Sequence, residues 1–312
     1  MKNNTIRIGT RGSKLALYQA YKTKETLENK FPDLKVEVTI INSKGDKILD
    51  VALSKIGDKG LFTKELEEAL LRDEVDIAVH SLKDVPTAVA NGLKISAVLP
   101  RADVRDALVS HKGLKLSQLT SEMVIATSSL RRIAQLLKIN PNFKIIDIRG
   151  NVDTRIRKME EGFCDAMIMA AAGLKRLGLE KYISEEIDPT VMIPAVSQGA
   201  IAIESRSNDN ECNTILNAIN HEATMITTTA ERIFLRKLEG GCQIPIGCYT
   251  TVENNIITIK GYMSYTDGTN VIEKSMSGSI ENANEIAENL AAFFIESGSV
   301  ALLERIRQVN KS

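Results

Sequence analysis

The amino-acid sequence predicts an α/β protein, with two successive α/β lobes followed by a small α+β domain. Three observations lead there. Short β-rich segments alternate with helical periodicity through the first two thirds of the chain, the pattern of strands crossed over by helices in a mostly parallel sheet. The alternation breaks at Pro100–Arg105 and restarts near Met123. After Ile244 it gives way to alternating segments joined by turn dipeptides.

The first lobe opens with a short strand, Ile6–Thr10, and a helix, Ser13–Lys30, with Leu15, Leu17, Ala20 and Leu27 set among polar residues. Val36–Asn42 alternates like a strand. Leu61–Arg72 places Leu61, Phe62, Leu66, Ala69 and Leu70 on one helical face, and Val75–Val79 and Lys94–Leu99 are compact strands. The second lobe repeats the rhythm. Met123–Thr127, Lys144–Ile148 and Asp165–Ala170 are its strands, the last running into a small-residue turn. One helix follows Ser129, with Leu130, Ile133, Ala134 and Leu137 at i, i+3, i+4 and i+7, and Asn151–Glu161 is another. Pro189–Ser197 is a second irregular crossing, and the strand-like Ala200–Glu204 returns to the first lobe. His221–Lys237 is then helical. Ile244–Val252, Ile256–Tyr265 and Asn270–Ser277 are strands turned at Asn254-Asn255 and Asp267-Gly268, and Glu281–Glu296 is an amphipathic helix. The expected domains are 1–99 with 200–218, then 100–199, then 219–312.

Composition narrows the function. The chain has 312 residues, 43% hydrophobic and 26% charged, with 40 Lys+Arg balancing 40 Asp+Glu. Such a chain buries two or three domain cores. Zero net charge disfavours a protein that coats nucleic acid, and aromatic content of 4% disfavours base stacking. No apolar run approaches a membrane span, and the N-terminus lacks a signal-peptide core. Four cysteines without CxxC spacing and three histidines without paired spacing indicate neither a disulfide scaffold nor a metal site. No GxxxxGK[ST] phosphate loop occurs.

The neutral total hides segregation. From Arg131 to Arg176, ten lysines and arginines against five acids leave +5, whereas from Thr250 to Ser312 five against eight leave −3. Arg131 and Arg132 follow Thr127-Ser128-Ser129, Arg149 precedes Gly150, and Arg155 lies one turn into a helix. Strand ends and helix starts form the ligand rim of open α/β sheets, and guanidinium suits carboxylate or phosphate. A polyanionic small molecule is therefore expected in a cleft between the lobes. Ser13 and Ser129 open two similar strand–turn–helix units and read either as helix caps alone or as parts of anion sites.

Three further segments carry candidate chemistry. In His80-Ser81-Leu82-Lys83-Asp84-Val85-Pro86, Asp84 is either a turn carboxylate in a salt bridge or a general acid/base that stabilises a developing cation. His80 is an acid/base candidate or a structural histidine. Cys242 follows Gly240 and Gly241 in a loop, and reads as an inert turn residue or as a nucleophilic thiol. The glycine-punctuated 42–60 segment, with Lys55 and Lys59, reads as a lid or as plain surface.

Taken together, GTRGSKLAL (9–17), KGLFTKELE (59–67), DIAVHSLKDVPT (76–87), ATSSLRR (126–132), IRGNVDTR (148–155), AAAGLKRLG (170–178), PAVSQGAI (194–201) and TTAERIFLRKLEGGCQIPIG (228–247) closely resemble the porphobilinogen deaminase (hydroxymethylbilane synthase) family, over essentially the whole chain. The resemblance implies a transferase that joins four porphobilinogen molecules head to tail into hydroxymethylbilane, losing ammonia each time, in tetrapyrrole (heme) biosynthesis. It implies a dipyrromethane cofactor bound by thioether to Cys242, and a fold whose two lobes are periplasmic-binding-protein-like. Asp84 matches the essential acid. Cofactor contacts are implied for Ser81, Lys83, Asp84, Thr127, Ser128, Ser129, Arg131, Arg132 and Gly150. Substrate contacts are implied for Arg11, Ser13, Gln19, Arg149, Arg155, Arg176 and Gln198, and a mobile loop for Lys55 and Lys59. The family context implies a cytoplasmic enzyme that passes its product to uroporphyrinogen-III synthase. With no coiled-coil pattern in the chain, a monomer is expected, without a nucleic-acid or membrane partner. A solute-binding module or a ligand-sensing regulator also explains two lobes and an arginine rim. The solute-binding module does not explain Cys242. A regulator would usually carry a DNA-binding module, for which the entry into the first strand by Ile6 leaves no room at the N-terminus. Turnover of porphobilinogen with ammonia release separates both from an enzyme.

Overall fold

The computed structural model describes residues 4–43, 45, 60–238 and 244–309. These fall into two compact units: 4–43, 45, 60–102 and 199–225 form the first, and 103–198, 226–238 and 244–309 the second.

The first unit is one five-stranded sheet between helices. Its elements are β1 (Thr5–Thr10), α1 (Lys14–Lys30), β2 (Lys35–Ile40), α2 (Lys64–Leu71), β3 (Ile77–Ser81) and β4 (Leu93–Val98), joined by two elements described below as β10 and α6. Ile77 and Val79 of β3 pack with Ile6, Ile8 and Val36 against Ala20 and Leu27 of α1. Ala78, on the opposite face, packs with Leu66, Ala69 and Leu70 of α2. Strand residues therefore alternate between two buried faces, as a sheet covered on both sides requires. The helix expected over 61–72 begins only at Lys64, after a turn in which Thr63 and Lys64 both donate their N–H to the Gly60 carbonyl. β3 runs two residues further than expected and takes in His80 and Ser81.

The second unit carries two sheets. β5 (Asp106–Val109), β6 (Val124–Ala126), α3 (Leu130–Ile139), β7 (Lys144–Ile146), α4 (Val152–Glu160), β8 (Ala166–Ala170), α5 (Ala171–Arg176) and β9 (Ile183–Glu186) build the first of them. Then β10 (Ile201–Arg206) and α6 (Asn210–Asn217) return to the first unit, and α7 (Glu222–Lys237) follows. β11 (Ile246–Glu253), β12 (Ile256–Met263), β13 (Ile272–Ser279), α8 (Ala283–Glu296) and α9 (Ser299–Val309) complete the chain.

The two five-stranded sheets share one plan, with orders β2-β1-β3-β10-β4 and β7-β6-β8-β5-β9. Four strands of each run in one direction, and the exception, fourth in the order, is the strand that follows a crossing. It runs antiparallel to both neighbours: β10 between β3 and β4, β5 between β8 and β9. The expected mostly parallel sheet thus holds one reversed strand, which makes half of its pairings antiparallel. β5 and β9, only four residues each, lack the alternation that marks a strand. The expected small-residue turn after β8 is the helix α5, whose Ala171, Ala172 and Leu174 are buried.

The last sheet, β11-β12-β13, is antiparallel as expected. Asn254 and Asn255 turn the first hairpin with φ of 49° and 62°, the left-handed pair that a two-residue hairpin turn needs. Ile257, Ile259 and Met263 pack under Phe234 of α7, Leu290 and Phe294 of α8 and Leu303 of α9. Phe234 and Phe294 meet edge to face at 5.0 Å. Gly261 lies beneath them, where a Cβ would come within 2.7 Å of Phe234 Cζ. Phe294→Ala is expected to cost about 3–5 kcal/mol, read as a lowered urea midpoint at unchanged slope. A loss below 1 kcal/mol would mean that this cluster is not tightly packed.

Candidate active site

In the first unit the predicted residues gather at the carboxyl end of β3. Ser13 caps α1, its Oγ accepting from Ala16 N at 3.3 Å. The Arg11 guanidinium lies 4.2 Å from the centre of the Phe62 ring. Gln19 is buried and donates Nε2–H to Ser81 Oγ at 2.7 Å. After Ser81 the chain makes a single 3-10 turn, Leu82–Asp84. Leu82 and Val85 are anchored among Val98, Ala200 and Ala202, and Leu82 N donates to Ala200 O at 3.0 Å. With those two side chains inward, half-buried Lys83 and exposed Asp84 are left outside the core. Arg11, Ser13, Gln19, His80, Ser81 and Asp84 line one small cavity with Phe62 and its neighbours.

In the second unit a buried ion cluster replaces the expected open rim. Arg131 and Arg132 are 4% and 7% exposed, and Asp106 is wholly buried. Arg131 Nη1 donates to Asp106 Oδ2 at 2.7 Å and to the Ile193 carbonyl at 2.7 Å. Arg132 donates Nε–H and Nη2–H to Asp106 Oδ1 at 3.1 and 2.7 Å, and Nη1–H to the Ile168 carbonyl. Gln198, 1% exposed, adds Nε2–H to Asp106 Oδ1 at 2.9 Å. Burial by itself would raise the Asp106 carboxyl, but the two guanidiniums outweigh it and hold it well below the usual carboxylate range. Burial moves Arg131 downward, against the pull of Asp106. Two guanidiniums against one carboxylate leave a buried surplus of positive charge. Arg131 Nε, also buried, has no hydrogen-bond partner among the described residues.

Around this cluster, Thr127 is buried and its N–H donates to the Ile146 carbonyl. Ser128 Oγ bridges Ile148 by donating to its carbonyl and accepting from its N–H. Ser129 stands at the start of α3 but does not cap it with its side chain, contrary to expectation. Gly150 has φ of +115°, and a Cβ there would meet Thr154 Cγ2 at 2.8 Å, so glycine is required. Arg155 donates Nε–H to Gly150 O at 2.8 Å. Arg149, half-buried, is lowered chiefly by its burial, and Arg176 ends α5 half-buried. Cys242, Lys55 and Lys59 lie outside the described residues.

Two partners were not foreseen from the sequence. Asp106 anchors the arginines, and Glu204 holds His80, with Nε2 and Oε2 3.1 Å apart. Each is a single acid at the edge of an apolar run, Asp106-Ala-Leu-Val and Ile-Ala-Ile-Glu204, and that was the available signal. A carboxylate in such a run is buried only when it is paired.

The depressed Asp106 carboxyl has a definite sign. Its stabilising contribution is fully present above the unfolded value of about 4 and is lost as pH falls through the lower folded value. Asp106→Asn is therefore expected to lose about 3–5 kcal/mol at neutral pH and to show a shallower decline on acidification. Urea unfolding at a series of pH values reads both, and equal stability at neutral pH would refute the role.

Two family models match the chain. "Porphobilinogen deaminase, dipyromethane cofactor binding domain" covers residues 6–214, and "Porphobilinogen deaminase, C-terminal domain" covers 225–296. A porphobilinogen deaminase of Syntrophomonas wolfei is 48% identical over 97% of this chain and 99% of its own. One of Nostoc is 47% identical over 97% and 94%. Among solved structures, the methionine-binding protein MetQ is similar at 15% identity and a TM-score of 0.47, over 72% of this chain and 93% of that one. By the two models and these relatives, the chain belongs to the porphobilinogen deaminase family.

Proposed function

We propose that this chain is a transferase that condenses four porphobilinogen molecules head to tail into hydroxymethylbilane, with release of ammonia, on a dipyrromethane primer joined to Cys242 by a thioether. The family is one of tetrapyrrole biosynthesis whose larger domain binds dipyrromethane. The observation that carries the residue-level reading is the Asp106 cluster. Its surplus positive charge and unpartnered Arg131 Nε suit a ligand made of pyrrole acetates and propionates.

When bound, dipyrromethane supplies the pyrrole carbon at which the chain is extended. The protein's own groups bind and orient. Arg131 and Arg132, fixed by Asp106, hold primer carboxylates, with Ser81, Lys83, Thr127, Ser128, Ser129 and the Gly150 backbone in support. Arg11, Ser13, Gln19, Arg149, Arg155 and Arg176 hold those of the incoming porphobilinogen. Gln198, assigned to substrate by resemblance, acts through Asp106, to which its amide is bound. Asp84, exposed at the end of the 3-10 turn, stabilises positive charge on the substrate ring as ammonia leaves. The domains are 1–99 with 200–218, 100–199 and 219–312. The enzyme acts as a cytoplasmic monomer whose product passes to uroporphyrinogen-III synthase.

Two substitutions test this. Intact mass of active enzyme is expected to exceed the polypeptide by a dipyrromethane, and Cys242→Ser to remove the excess while leaving the fold intact. Active enzyme without excess mass would sink the attachment. Asp84→Asn is expected to keep the excess mass and lose roughly 10²–10⁴-fold in turnover. Near-normal ammonia release by that variant would refute the role of Asp84.

A further inference from the structure

We infer that Gln135 and Gly247 are positioning residues for Arg131, acting through the Ile193 peptide, so that the strand leaving the cysteine segment sets the direction of the arginine that holds the primer. The inference rests on the porphobilinogen reading above and deepens it with two residues to which that reading gives no role.

Ile193 lies in an irregular stretch and is 1% exposed, so its backbone needs partners inside the protein. Gln135, buried on α3, supplies both of them. Its Oε1 accepts the Ile193 N–H at 2.7 Å, and its Nε2 donates to the Ile193 carbonyl at 3.0 Å. The N–H needs an acceptor and the carbonyl a donor, and a side-chain amide carries one of each. Gln135 stands one turn beyond Arg131 on α3, so the two side chains share a face. Arg131 Nη1 donates to the same Ile193 oxygen at 2.7 Å and to Asp106 Oδ2 at 2.7 Å. Two bonds at one nitrogen of a planar guanidinium fix its plane. They fix with it the direction of the Nε–H, which has no partner among the described residues.

The other side of the Ile193 peptide meets the C-terminal sheet. β11 begins four residues after Cys242. Its Gly247 lies so close that a Cβ would come within 2.9 Å of Ile193 O and 3.0 Å of Pro194 O. The next residue, Cys248, donates its N–H to Pro194 O at 3.0 Å. The Ile193 carbonyl is therefore held between β11 and α3. The same helix rests on the same sheet further along. A Cβ at Gly268, between β12 and β13, would come within 2.6 Å of Ala134 O, and Lys138 pairs with Glu273 of β13 at 3.1 Å. An amide that served folding alone would satisfy Ile193 and end there. Here the carbonyl it grips carries a second donor, and a shift of that oxygen turns the guanidinium about Asp106. The primer's attachment and its arginine are thus both referred to β11.

The test compares three variants as holoenzyme. Gln135→Glu keeps the acceptor for the Ile193 N–H and loses the donor to the carbonyl. Gly247→Ala keeps every polar partner and displaces the oxygen. Phe294→Leu loosens the Phe234 cluster in the same unit and serves as the stability control. The first two are expected to lower kcat roughly tenfold to a hundredfold. Their KM for porphobilinogen is expected to stay within about twofold of wild type, because Arg131 holds the attached primer and not free substrate. Phe294→Leu is expected to keep both constants at an equal or greater loss of urea midpoint. In ¹⁵N-arginine-labelled protein, the Arg131 Nε–H resonance is identified by its loss in Arg131→Lys. It is expected to move in Gln135→Glu and Gly247→Ala and to stay in place in Phe294→Leu. Should one of the first two not fold, the other carries the test alone. An unmoved resonance, a wild-type kcat in the folded variants, or an equal loss of kcat in Phe294→Leu would overturn the positioning role. Active wild-type enzyme without a dipyrromethane mass excess would instead overturn the covalent primer, with the Arg131 resonance still reading the Ile193 contact.

Discussion

The second unit is organised around a single buried carboxylate. Asp106 accepts from Arg131, Arg132 and Gln198, contributed by two distant segments of sequence. A buried guanidinium without a counter-charge costs several kcal/mol, more than most folds can carry. One carboxylate between two guanidiniums solves the folding problem incompletely, and the incompleteness is useful. The side chains are fixed by Asp106 and by the carbonyls of Ile168 and Ile193, so their positions are set by the fold itself. The residual positive charge sits where water screens it least.

The two units differ in their buried charge. The second presents fixed arginines. In the first, Glu204, Glu67, His80 and Asp84 gather near β3, with Arg11 over Phe62. On β3 and on α3 alike, the charged groups are buried beside partners of their own unit: His80 beside Glu204, and Arg131 and Arg132 beside Asp106.

Much of this was legible in the sequence. The strand–helix alternation, its restart near Met123 and the Asn254-Asn255 hairpin follow from local periodicity and turn chemistry, and each has its counterpart in the structure. What stayed hidden depends on distant pairing. β5 and β9 are four residues each and become strands only by hydrogen-bonding to β8 and to each other. The arginine run looks like a solvated rim until Asp106, 25 residues away, is placed beside it. Ser129 stands at the start of α3 like Ser13 at α1, yet does not cap, and in that turn it is Ser128 that locks onto Ile148. Composition identified the arginines as important but could not show that Arg131 and Arg132 are held inside.

Gln198 shows why these details belong together. It directly follows the second crossing and is the last residue of the second unit before the chain returns to the first. Its amide reaches Val104 O at 2.8 Å as well as Asp106, and so ties the second crossing to the first. One residue earlier, Ser197 has φ of 61° and donates its N–H to the buried carboxylate of Glu231 on α7 at 2.6 Å. Both crossings are therefore held by buried polar groups whose loss is costly. Any change at the crossings that withdraws Gln198 leaves Asp106 with the guanidiniums alone and alters the charge they present. The backbone of the crossings and the placement of Arg131 and Arg132 are thus one coupled system, joined at a single carboxylate.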